Sequence, residues 1–318
     1  MQNILITGGA GYVGGRVVSA LSSGNKYRVR IGTHRLPDAL PSWTRNYEVV
    51  SMNVRSRKDL EEACAGMDAV VHLAALNEVE CGNDPALALT VNTLGTLHTL
   101  EAAIATHVER FVYVSTAHVY GAPLAGHIDE DTPAFPVHPY AITHRAAEDF
   151  VRSAHRRHAI TGVVLRLSNG FGAPADKLVS RWSLLVNDLC RQAVTEGRLV
   201  LRSAGLQQRD FVTLHDVGQG IKHLLEIPVP SIADGVFNLG GSNPMRVIDM
   251  VQLIADRCAE VLNRRPEISR PCGVEETLPL DYSIAKLEDT GFQLSGDAAS
   301  EIDATLRVCQ NTLQSEAS

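Results

Sequence analysis

The sequence "ITGGAGYVGG" at residues 6–15 follows an apolar segment and opens a helical one. Its glycines Gly8, Gly11 and Gly14 form the pattern G-x-x-G-x-x-G. The first glycine allows a tight turn, the second lets the backbone approach a pyrophosphate, and the third lets the helix pack closely on the strand. The N-terminus of the helix attracts the charge of a phosphate. Because the pattern lies between a strand and a helix, it predicts a dinucleotide-binding turn.

Apolar segments alternate with helical segments through the first two thirds of the chain. The predicted strands are residues 3–7, 27–32, 47–52, 69–74, 110–115 and 162–167. The predicted helices between them include residues 14–23, 56–65, 85–106 and 140–158. Apolar strands that alternate with helices are typical of a parallel sheet covered by helices on both faces. The chain is therefore predicted to have a doubly wound α/β fold.

The pattern changes from about residue 169 onwards. Two helical segments, 180–197 and 247–262, are separated by short strands within 198–203 and 235–240, and a helix at 215–227 is expected to return to the main sheet. This arrangement predicts a smaller α/β lobe at the carboxyl ends of the main strands, where open sheets bind ligands. We predict a dinucleotide-binding domain of residues 1–168 plus about 205–232, and a substrate-binding lobe of about 169–204 plus 233–318.

The composition argues against several classes of protein. The 318 residues include 29 basic and 36 acidic ones, a net charge of -7, without a long basic run, so nucleic acid is not an expected partner. No apolar stretch reaches the ~18 residues of a membrane span, and the start lacks the features of a secretion signal, so we expect a cytoplasmic protein without membrane contact. Six scattered cysteines without a C-x-x-C pair predict reduced thiols, with neither a disulfide framework nor a metal site.

The end of the second predicted strand bears on the choice of cofactor. NAD-binding proteins usually have Asp or Glu there, which binds the ribose hydroxyls. This chain has Thr33, His34 and Arg35 instead. The guanidinium of Arg35, with His34 beside it, can bind a 2′-phosphate bidentately. We therefore predict that NADP is favoured over NAD, the alternative being that Arg35 is an ordinary exposed arginine.

Eight motifs, in order along the chain, carry a resemblance to a known family. They are TGGAGYVGG at the first turn, VVHLAA (70–75), VNTLGT (91–96), STAHVYG (115–121), PYAITH (139–144), RLSNGFG (166–172), RDFVTLHDV (209–217) and VFNLGG (236–241). Over nearly its full length the chain resembles an extended short-chain dehydrogenase/reductase, the group of nucleotide-sugar epimerases, dehydratases and reductases. The resemblance implies a doubly wound Rossmann domain with a smaller α/β substrate-binding lobe.

The resemblance also implies roles for individual residues. Tyr140 matches the family's catalytic tyrosine, whose phenolic oxygen takes or gives the hydroxyl proton, and Thr116 matches the residue that hydrogen-bonds the reacting oxygen. Asn169 and Arg209 match residues that often bind the diphosphate of the substrate. The residues expected to contact the cofactor are Gly8, Gly11, Tyr12, Val13, Gly14, Thr33, His34, Arg35, Asn53, Val54, Leu73, Ala74, Ala75, Asn92, Ser115, Tyr140 and His144.

Position 144 departs from the family pattern. The family has a lysine four residues after the tyrosine, which stabilises the tyrosine anion and binds the nicotinamide ribose, whereas this chain has His144. Residues four apart share one helix face, so Tyr140 and His144 are expected to face the cofactor together and to act as a catalytic pair. Free histidine has a pKa near ~6.5 and is mostly neutral at pH 7. We predict that His144 donates one hydrogen bond to a ribose hydroxyl while neutral.

Other departures bear on the reaction. The family's sugar 4,6-dehydratases carry Asp-Glu after the Thr, whereas Ala117 and His118 follow Thr116 here, which argues against that dehydration. Asn53 stands where an acid commonly meets the adenine. The remaining polar residues near these motifs are expected to be mainly loop residues, although one of the histidines could line the sugar pocket: His118, His127, His138, Glu78, Glu80 and Cys81.

The sequence leaves four functional interpretations, in a fixed order of preference. Epimerisation of a nucleotide-activated sugar through a transient ketone comes first, because the family contains many epimerases. Net reduction of a keto-sugar by NADPH follows, favoured by the basic residues after the second strand. A catalytically weak sensor or scaffold is supported by the loss of the lysine, and reduction of a non-nucleotide carbonyl compound is disfavoured by Arg209. The resemblance also implies a homodimer through helices 85–106 and 140–158.

Overall fold

The computed structural model describes residues 1–177, 179, 181–273 and 277–316, with side chains described as far as residue 313. Within these residues the strands are β1 (Gln2–Thr7), β2 (Tyr27–Thr33), β3 (Glu48–Ser51), β4 (Ala69–His72), β5 (Arg110–Thr116), β6 (Gly126–Ile128), β7 (Thr161–Leu167), β8 (Asn169–Phe171), β9 (Arg198–Val200), β10 (Gln208–Arg209), β11 (Phe211–Thr213), β12 (Val236–Leu239), β13 (Met245–Arg246), β14 (Glu267–Ser269) and β15 (Leu280–Tyr282).

Helices cover much of the remaining chain. They are α1 (Tyr12–Ser22), α2 (Arg57–Cys64), α3 (Glu78–Asn83), α4 (Pro85–Ala88), α5 (Gly95–Ala105), α6 (Pro139–Arg156), α7 (Leu185–Thr195), α8 (Leu214–Glu226), α9 (Val247–Leu262), α10 (Ala285–Glu288) and α11 (Ala298–Glu316). The predicted helix at 85–106 is a continuous helical run in which a π-helical turn, Leu89–Leu94, joins α4 to α5. The sequence analysis missed α3 and α11.

Seven strands form one parallel sheet in the order β3-β2-β1-β4-β5-β7-β12. From β1 the chain winds outwards to β3 and then returns through β4 towards the opposite edge, so the direction of winding reverses between β1 and β4. Such a reversal opens a crevice at the carboxyl ends of the strands. The first six strands of this sheet in the chain lie within two residues of the predicted ones. The prediction of a doubly wound parallel sheet is confirmed.

The edge strand β12 corrects the predicted division of the chain. The sequence analysis assigned it to the smaller lobe, whereas the structure pairs it with β7, from Val236 opposite Val164 to Leu239 opposite Leu167. All four residues of β12 are buried, and a short apolar run does not by itself reveal which sheet it joins. A lobe boundary near residue 233 therefore moves beyond Leu239, and the division into two lobes stays a prediction.

Both faces of the sheet are covered by apolar packing. Ile4 and Leu5 point to opposite faces because side chains alternate along a strand. Ile4 belongs to the cluster that includes Val18 of α1 and Ile221 of α8, and Leu5 belongs to the cluster that includes Leu60 of α2. A third cluster packs α7, α9 and α11 together in the C-terminal part of the chain. The carboxyl ends of the strands are left free for a ligand site.

A buried ion pair fixes the C-terminal helix against the glycine-rich turn. The Nη1 and Nη2 atoms of Arg16 in α1 donate to the two carboxylate oxygens of Glu301 in α11, at 2.7 and 2.9 Å. Glu301 also accepts hydrogen bonds from the backbone N–H groups of Ala173 and His215. The bidentate bond and the two backbone donors satisfy a carboxylate that is almost fully buried. The C-terminal helix thereby contributes to the rigidity of the dinucleotide-binding turn.

The described part of the chain has no helix that combines the length and the apolar character needed to cross a bilayer. All six cysteines are free, and only Cys272 among them is exposed. The five buried thiols are packed in the hydrophobic interior, where burial disfavours the reactive thiolate.

Candidate functional site

The carboxyl ends of the sheet strands open into a cleft with a volume of about 910 Å3. This volume is within the range of sites that bind small molecules and cofactors. The predicted site residues that line the cleft are Gly8, Gly11, Tyr12, Val13, Gly14, Thr33, His34, Arg35, Asn53, Val54, Leu73, Ala74, Ala75, Ser115, Thr116, Tyr140, His144, Asn169 and Arg209. The tertiary structure thus brings together residues from seven separate stretches of the chain. Asn92 is the predicted site residue that does not line the cleft.

The glycine-rich turn has the geometry that its pattern predicts. Gly8 has a φ of 67°, which residues with a side chain rarely adopt. A Cβ atom at Gly14 would lie 2.3 Å from the carbonyl oxygen of Gly8, so only glycine lets α1 pack this closely on the turn. A Cβ atom at Gly11 would meet only that same oxygen, at 3.0 Å. The first turn of α1 contains no acidic residue, so its free N–H groups are available to an anion.

Two arginines lie at the end of the cleft formed by β2 and β3. Arg35 follows β2 and lines the cleft, and its backbone N–H donates to Thr33 Oγ1 at 3.2 Å. Arg55, which the sequence analysis missed, follows β3 and also lines the cleft, with its Nε 3.4 Å from Asn53 Oδ1. Among the described residues no carboxylate forms an ion pair with either guanidinium. Both positive charges are therefore available to an anionic group of a ligand.

Tyr140 reaches the cleft from the first turn of α6. Pro139 begins the helix, and the side chain of His138 caps it by accepting the backbone N–H of Tyr140 at 3.2 Å. Thr116, at the end of β5, faces Tyr140 and forms a hydrogen bond with its hydroxyl. Burial raises the pKa of the Tyr140 phenol, the Glu78 carboxylate raises it further, and the Arg181 charge and the Thr116 bond only partly oppose the rise. The phenol is therefore protonated at neutral pH.

His144 lies one helical turn further along α6 and is 3% exposed. Its ring centroid is 4.4 Å from that of Tyr140. Nδ1 lies 2.7 Å from the hydroxyl oxygen of Tyr113, whereas Nε2 has no hydrogen-bond partner among the described residues. Burial lowers the pKa of His144 to about 4, so the imidazole is neutral at pH 7. This agrees with the predicted neutral state and leaves one buried ring nitrogen free for a ligand.

A buried ion pair lies directly beneath the pair on α6. The Ser115 hydroxyl donates to Glu148 Oε1 at 2.6 Å, and Arg166 Nη2 donates to Glu148 Oε2 at 2.7 Å. Glu148 follows Tyr140 by eight residues and therefore lies on the same face of α6. That spacing is the signal by which sequence reasoning could have found it. Because Ser115 spends its proton on Glu148, its contact with a cofactor stays a prediction.

Asn92 is placed behind the wall of the cleft rather than in it. It is 1% exposed, and its Oδ1 accepts the backbone N–H of Leu76 at 2.7 Å. Its Nδ2 lies 3.2 Å from Thr143 Oγ1 and 3.3 Å from Cys81 Sγ. Asn92 therefore holds the loop after β4 against α6, the helix that carries Tyr140. A direct contact between Asn92 and a cofactor is not supported by this geometry, although Asn92 does shape the wall.

The opposite end of the cleft contains Arg209 and Asn169. Arg209 is half-buried, burial lowers the pKa of its guanidinium, and it forms no ion pair with any described carboxylate. Asn169 Nδ2 donates to the Asp210 carbonyl oxygen at 2.8 Å, which holds it beside Arg209. A half-buried cation without an anionic partner is costly unless a ligand supplies one. The arrangement suits an anionic substrate group.

The remaining predicted polar residues separate into two groups. His118, Glu78 and Glu80 line the cleft, and Glu78 Oε2 lies 3.1 Å from Arg181 Nη2 on the facing wall. The other three do not line it: His127 binds Asp281 at 2.6 Å, His138 caps α6, and Cys81 is buried beside Asn92. Glu78 and Glu80 are the carboxylates among the described residues that line the cleft.

The residues of the cleft fit a dinucleotide cofactor. The turn has an opening at Gly11, α1 presents free N–H groups, and Arg35 and Arg55 lie where an adenosine phosphate would need a cation. The unpartnered Nε2 of His144 and the Tyr140 hydroxyl lie at the other end of the same path. Thr7 Oγ1 accepts the backbone N–H groups of Leu73 and Ala74 at 3.1 and 3.3 Å, which joins the turn to the next strand.

Comparisons with known proteins give one consistent result. A model of the NAD dependent epimerase/dehydratase family matches residues 4–240. The dTDP-D-glucose 4,6-dehydratase of Mus musculus is 29% identical over 278 residues, which cover 81% of this chain and 75% of that protein. The UDP-glucose 4-epimerase GEPI48 of Cyamopsis tetragonoloba is 28% identical over 277 residues, which cover 79% of each.

Solved structures show the same architecture. The UDP-glucuronic acid 4-epimerase from Bacillus cereus, in complex with NAD, has a TM-score of 0.82 at 23% identity, over 98% of this chain and 97% of that one. RMD from Pseudomonas aeruginosa, complexed with NADPH, has a TM-score of 0.78 at 23% identity, over 98% of this chain and 100% of that one. At these identities the similarity shows the fold.

Proposed function

The chain belongs to the NAD-dependent epimerase/dehydratase family, and we propose that it transfers hydride at a carbinol or ketone of a nucleotide-activated sugar. Membership makes it an NAD(P)-dependent enzyme of that family. The proposed substrate class is supported by the relatives, which are named for dTDP-glucose and UDP-glucose. Epimerisation through a transient ketone ranks first, because UDP-sugar epimerases recur among both the sequence relatives and the structural neighbours.

One observation carries the proposal: a single cleft joins three features that have little use apart. These are the phosphate-binding turn at Gly11, the Tyr140–Thr116 pair, and the half-buried Arg209 that has no anionic partner among the described residues. A dinucleotide bound at the turn and a diphosphate bound by Arg209 would both extend towards the pair. A purely structural cleft would not need an orphaned cation at one end and a protonated phenol in the middle.

The residues of the chain then have distinct tasks. A bound nicotinamide accepts or donates hydride. The Tyr140 oxygen takes the proton of a sugar hydroxyl when the sugar is oxidised and returns a proton when the ketone is reduced. The Thr116 hydroxyl donates a hydrogen bond to the same sugar oxygen. Neutral His144 donates its Nε2 proton to the cofactor ribose, so it orients the cofactor without adding charge.

Net reduction of a keto-sugar with NADPH is the second candidate. Two observations favour it: Arg35 and Arg55 are available to a 2′-phosphate, and Tyr140 is protonated before any substrate enters, which is the state needed to reduce a ketone. We accordingly propose that NADP is preferred to NAD. The structural neighbour complexed with NADPH is in accord with this preference.

Dehydration is disfavoured although several relatives are named as dehydratases. Elimination of water needs an acid and a base beside the sugar in addition to the tyrosine. Ala117 is buried and carries no such group, and His118 is the titratable residue that follows it. Among the described cleft residues, the carboxylates belong to Glu78 and Glu80 on α3 rather than to the segment after Thr116.

The test is direct. Mass spectrometry of the purified protein identifies any bound dinucleotide and nucleotide sugar, and UDP- and dTDP-hexoses are then assayed with NAD, NADH, NADP and NADPH. Epimerisation interconverts two sugars without net consumption of cofactor, whereas reduction consumes one NADPH for each sugar. Release of water with a keto-deoxy product would refute both candidates. Binding of the cofactor without turnover of any sugar would favour a sensor or scaffold.

A homodimer through the helices within 85–106 and 140–158 completes the proposal. Leu94, Ile142 and Phe150 are apolar side chains of these helical segments, and 40–44% of each is exposed. Exposed apolar side chains on adjacent helices are typical of interfaces. Sedimentation should give a dimer for the parent and a monomer for Ile142→Glu; a monomeric parent would refute the interface. The cytoplasmic location expected from the sequence is checked by cell fractionation.

A further inference from the structure

His144 ends a buried series of hydrogen bonds that starts at the glycine-rich turn. Its Nδ1 lies 2.7 Å from the hydroxyl oxygen of Tyr113, and the two rings are stacked with their centroids 5.8 Å apart. Tyr113 lies on β5, is 2% exposed and does not line the cleft. The His144 Nε2 atom has no partner among the described residues, on a side chain that lines the cleft. Tyr113 is thus one bond removed from the site.

The proton positions in the inner part of this series follow from counting donors. The Thr96 hydroxyl donates to the Asn92 carbonyl oxygen at 2.5 Å, so it must accept from His72 Nε2, 3.1 Å away. Burial lowers the pKa of His72 to about 3, and its ring is neutral. His72 Nδ1 therefore carries no proton and accepts from the Thr7 hydroxyl at 2.8 Å. Each proton in this segment has one place.

The same reasoning applies to Tyr113 and His144. The separation of 2.7 Å is shorter than the usual ~2.9–3.0 Å of a bond donated by N–H and typical of one donated by a hydroxyl. A phenol is the stronger donor of the two groups, and an unprotonated imidazole nitrogen is the stronger acceptor. The Tyr113 hydroxyl therefore donates to Nδ1. Because the ring is neutral, the single imidazole proton of His144 lies on Nε2.

We propose that Tyr113 is a positioning residue that holds His144 in the Nε2–H tautomer and so directs one uncharged hydrogen-bond donor into the cleft. The proposal rests on the proposed function in taking a bound dinucleotide as the acceptor of that bond. A neutral imidazole alone can present either a donor or an acceptor to a ligand. Tyr113 removes this choice, which explains how a histidine can do part of the work of a lysine at this position.

The rival arrangement is specific and can be measured. The Thr96 hydroxyl is also within hydrogen-bonding reach of Tyr113. If Tyr113 donated to Thr96 instead, the proton of His144 would lie on Nδ1, and Nε2 would present a lone pair to the cleft. That arrangement would repel the lone pairs of a ribose oxygen acting as acceptor, and it would give the opposite tautomer.

Nitrogen-15 NMR of the histidine side chains in the ligand-free protein at pH 7 decides between the two. The His144 signals are assigned by their loss in His144→Gln. We expect a protonated Nε2 and an unprotonated Nδ1 in the parent, and a mixture of tautomers in Tyr113→Phe. A parent with its proton on Nδ1 would overturn the proposal. Because this measurement needs no ligand and no variant fold, it stands even if the proposed function fails or Tyr113→Phe does not fold.

Titration with NADPH and with NADH tests the consequence for binding. Tyr113→Phe should weaken the tighter of the two by about 3- to 10-fold, the effect of one hydrogen bond. The same change in a His144→Ala background should have no further effect, since Tyr113 acts through His144. Equal effects in both backgrounds would show a general structural role and refute the proposal. Tyr27→Phe is the matched control: it removes a buried hydroxyl that binds Glu226, remote from the cleft, and should leave binding unchanged.

Discussion

The phenol of Tyr140 owes its state to its surroundings rather than to its own chemistry. Burial and the Glu78 carboxylate raise its pKa, and the Arg181 charge and the Thr116 bond lower it by less. In the resembling family a lysine would supply a further positive charge, and this chain has a neutral imidazole there. The proton on Tyr140 is therefore held more tightly than a lysine at position 144 would allow.

Tyr140→Phe should lower turnover by roughly 100-fold or more, the scale of general acid–base catalysis, once the substrate has been identified. Binding of NADPH and NADH should change little, because the ring and its packing on His144 are retained. Steady-state kinetics and fluorescence titration measure the two effects separately. Tyr27→Phe is again the control for loss of a phenol hydroxyl. Full activity in Tyr140→Phe would show that the pair on α6 is structural.

The pH dependence of activity should identify the charge on position 144. With a pKa of about 4, His144 is neutral throughout pH 5.5–9.5, a range chosen around the ~6.5 of free histidine, so the parent should show no decline through that value. His144→Lys restores a cation, lowers the pKa of Tyr140 and should move the rising limb of the profile to lower pH. His144→Ala should mainly weaken cofactor binding.

Two results would contradict this prediction. A parent profile that declines above pH 7, beside a lysine variant that is flat there, would mean that His144 acts as a cation. Unchanged profiles in both variants would place position 144 outside the site.

At the scale of elements, the site is made by segments that begin where the strands end. The turn after β1, the segments after β2 and β3, and the end of β5 all lie at one edge of the sheet, because parallel strands end together. The start of α6 completes the group. This explains why short motifs distant in sequence converge, and why Arg55, one strand away from Arg35, joins it in the cleft.

Arg35→Ala should weaken NADPH binding by roughly 10-fold or more, the loss of a charge-assisted hydrogen bond, and should change NADH binding little. Arg28→Ala is the control: it lies on the same strand, is largely exposed, pairs with Glu48 and does not line the cleft. Calorimetric titration of both cofactors measures the ratio of affinities. Equal or tighter binding of NADH by the parent would remove the argument for NADP.

At the scale of the molecule, two buried histidines should make folding stability depend on pH. The pKa of His144 is about 4 and that of His72 about 3, below the ~6.5 of the unfolded chain. The unfolded state therefore binds more protons below pH 6.5, and stability falls as the pH drops from about 6.5 towards 4. Each such histidine changes the free energy of unfolding by up to about 1.4 kcal/mol for each pH unit.

Denaturant unfolding at intervals from pH 7 to pH 5 measures this slope. His144→Gln should reduce it by the contribution of about one proton, because the variant no longer titrates at that position. His107→Asn is the control, since His107 is exposed and its positive φ of 62° suits asparagine. An equal slope in the parent and in His144→Gln would mean that the imidazole is already protonated, or fully hydrated, in the folded state.

The sequence alone determined the features that depend on local order along the chain. The glycine spacing after β1, the alternation of apolar strands with helices and the Tyr140–His144 spacing are periodic or contiguous patterns, and each was sufficient to place its element. Helix 247–262 was predicted with the bounds that the structure has. Even the neutral state of His144 was accessible, because a ring beside the end of an apolar sheet is expected to be desolvated.

The tertiary structure decided what depends on neighbours distant in sequence. The strand β12 joined the main sheet through pairing with β7, and Asn92 was drawn behind the cleft by Leu76 and Thr143. The tautomer of His144 depends on Tyr113, thirty-one residues earlier on a different element. Hydrogen-bond partners and the loss of water are set by which groups the fold brings within a few ångströms, and a linear pattern does not contain those distances.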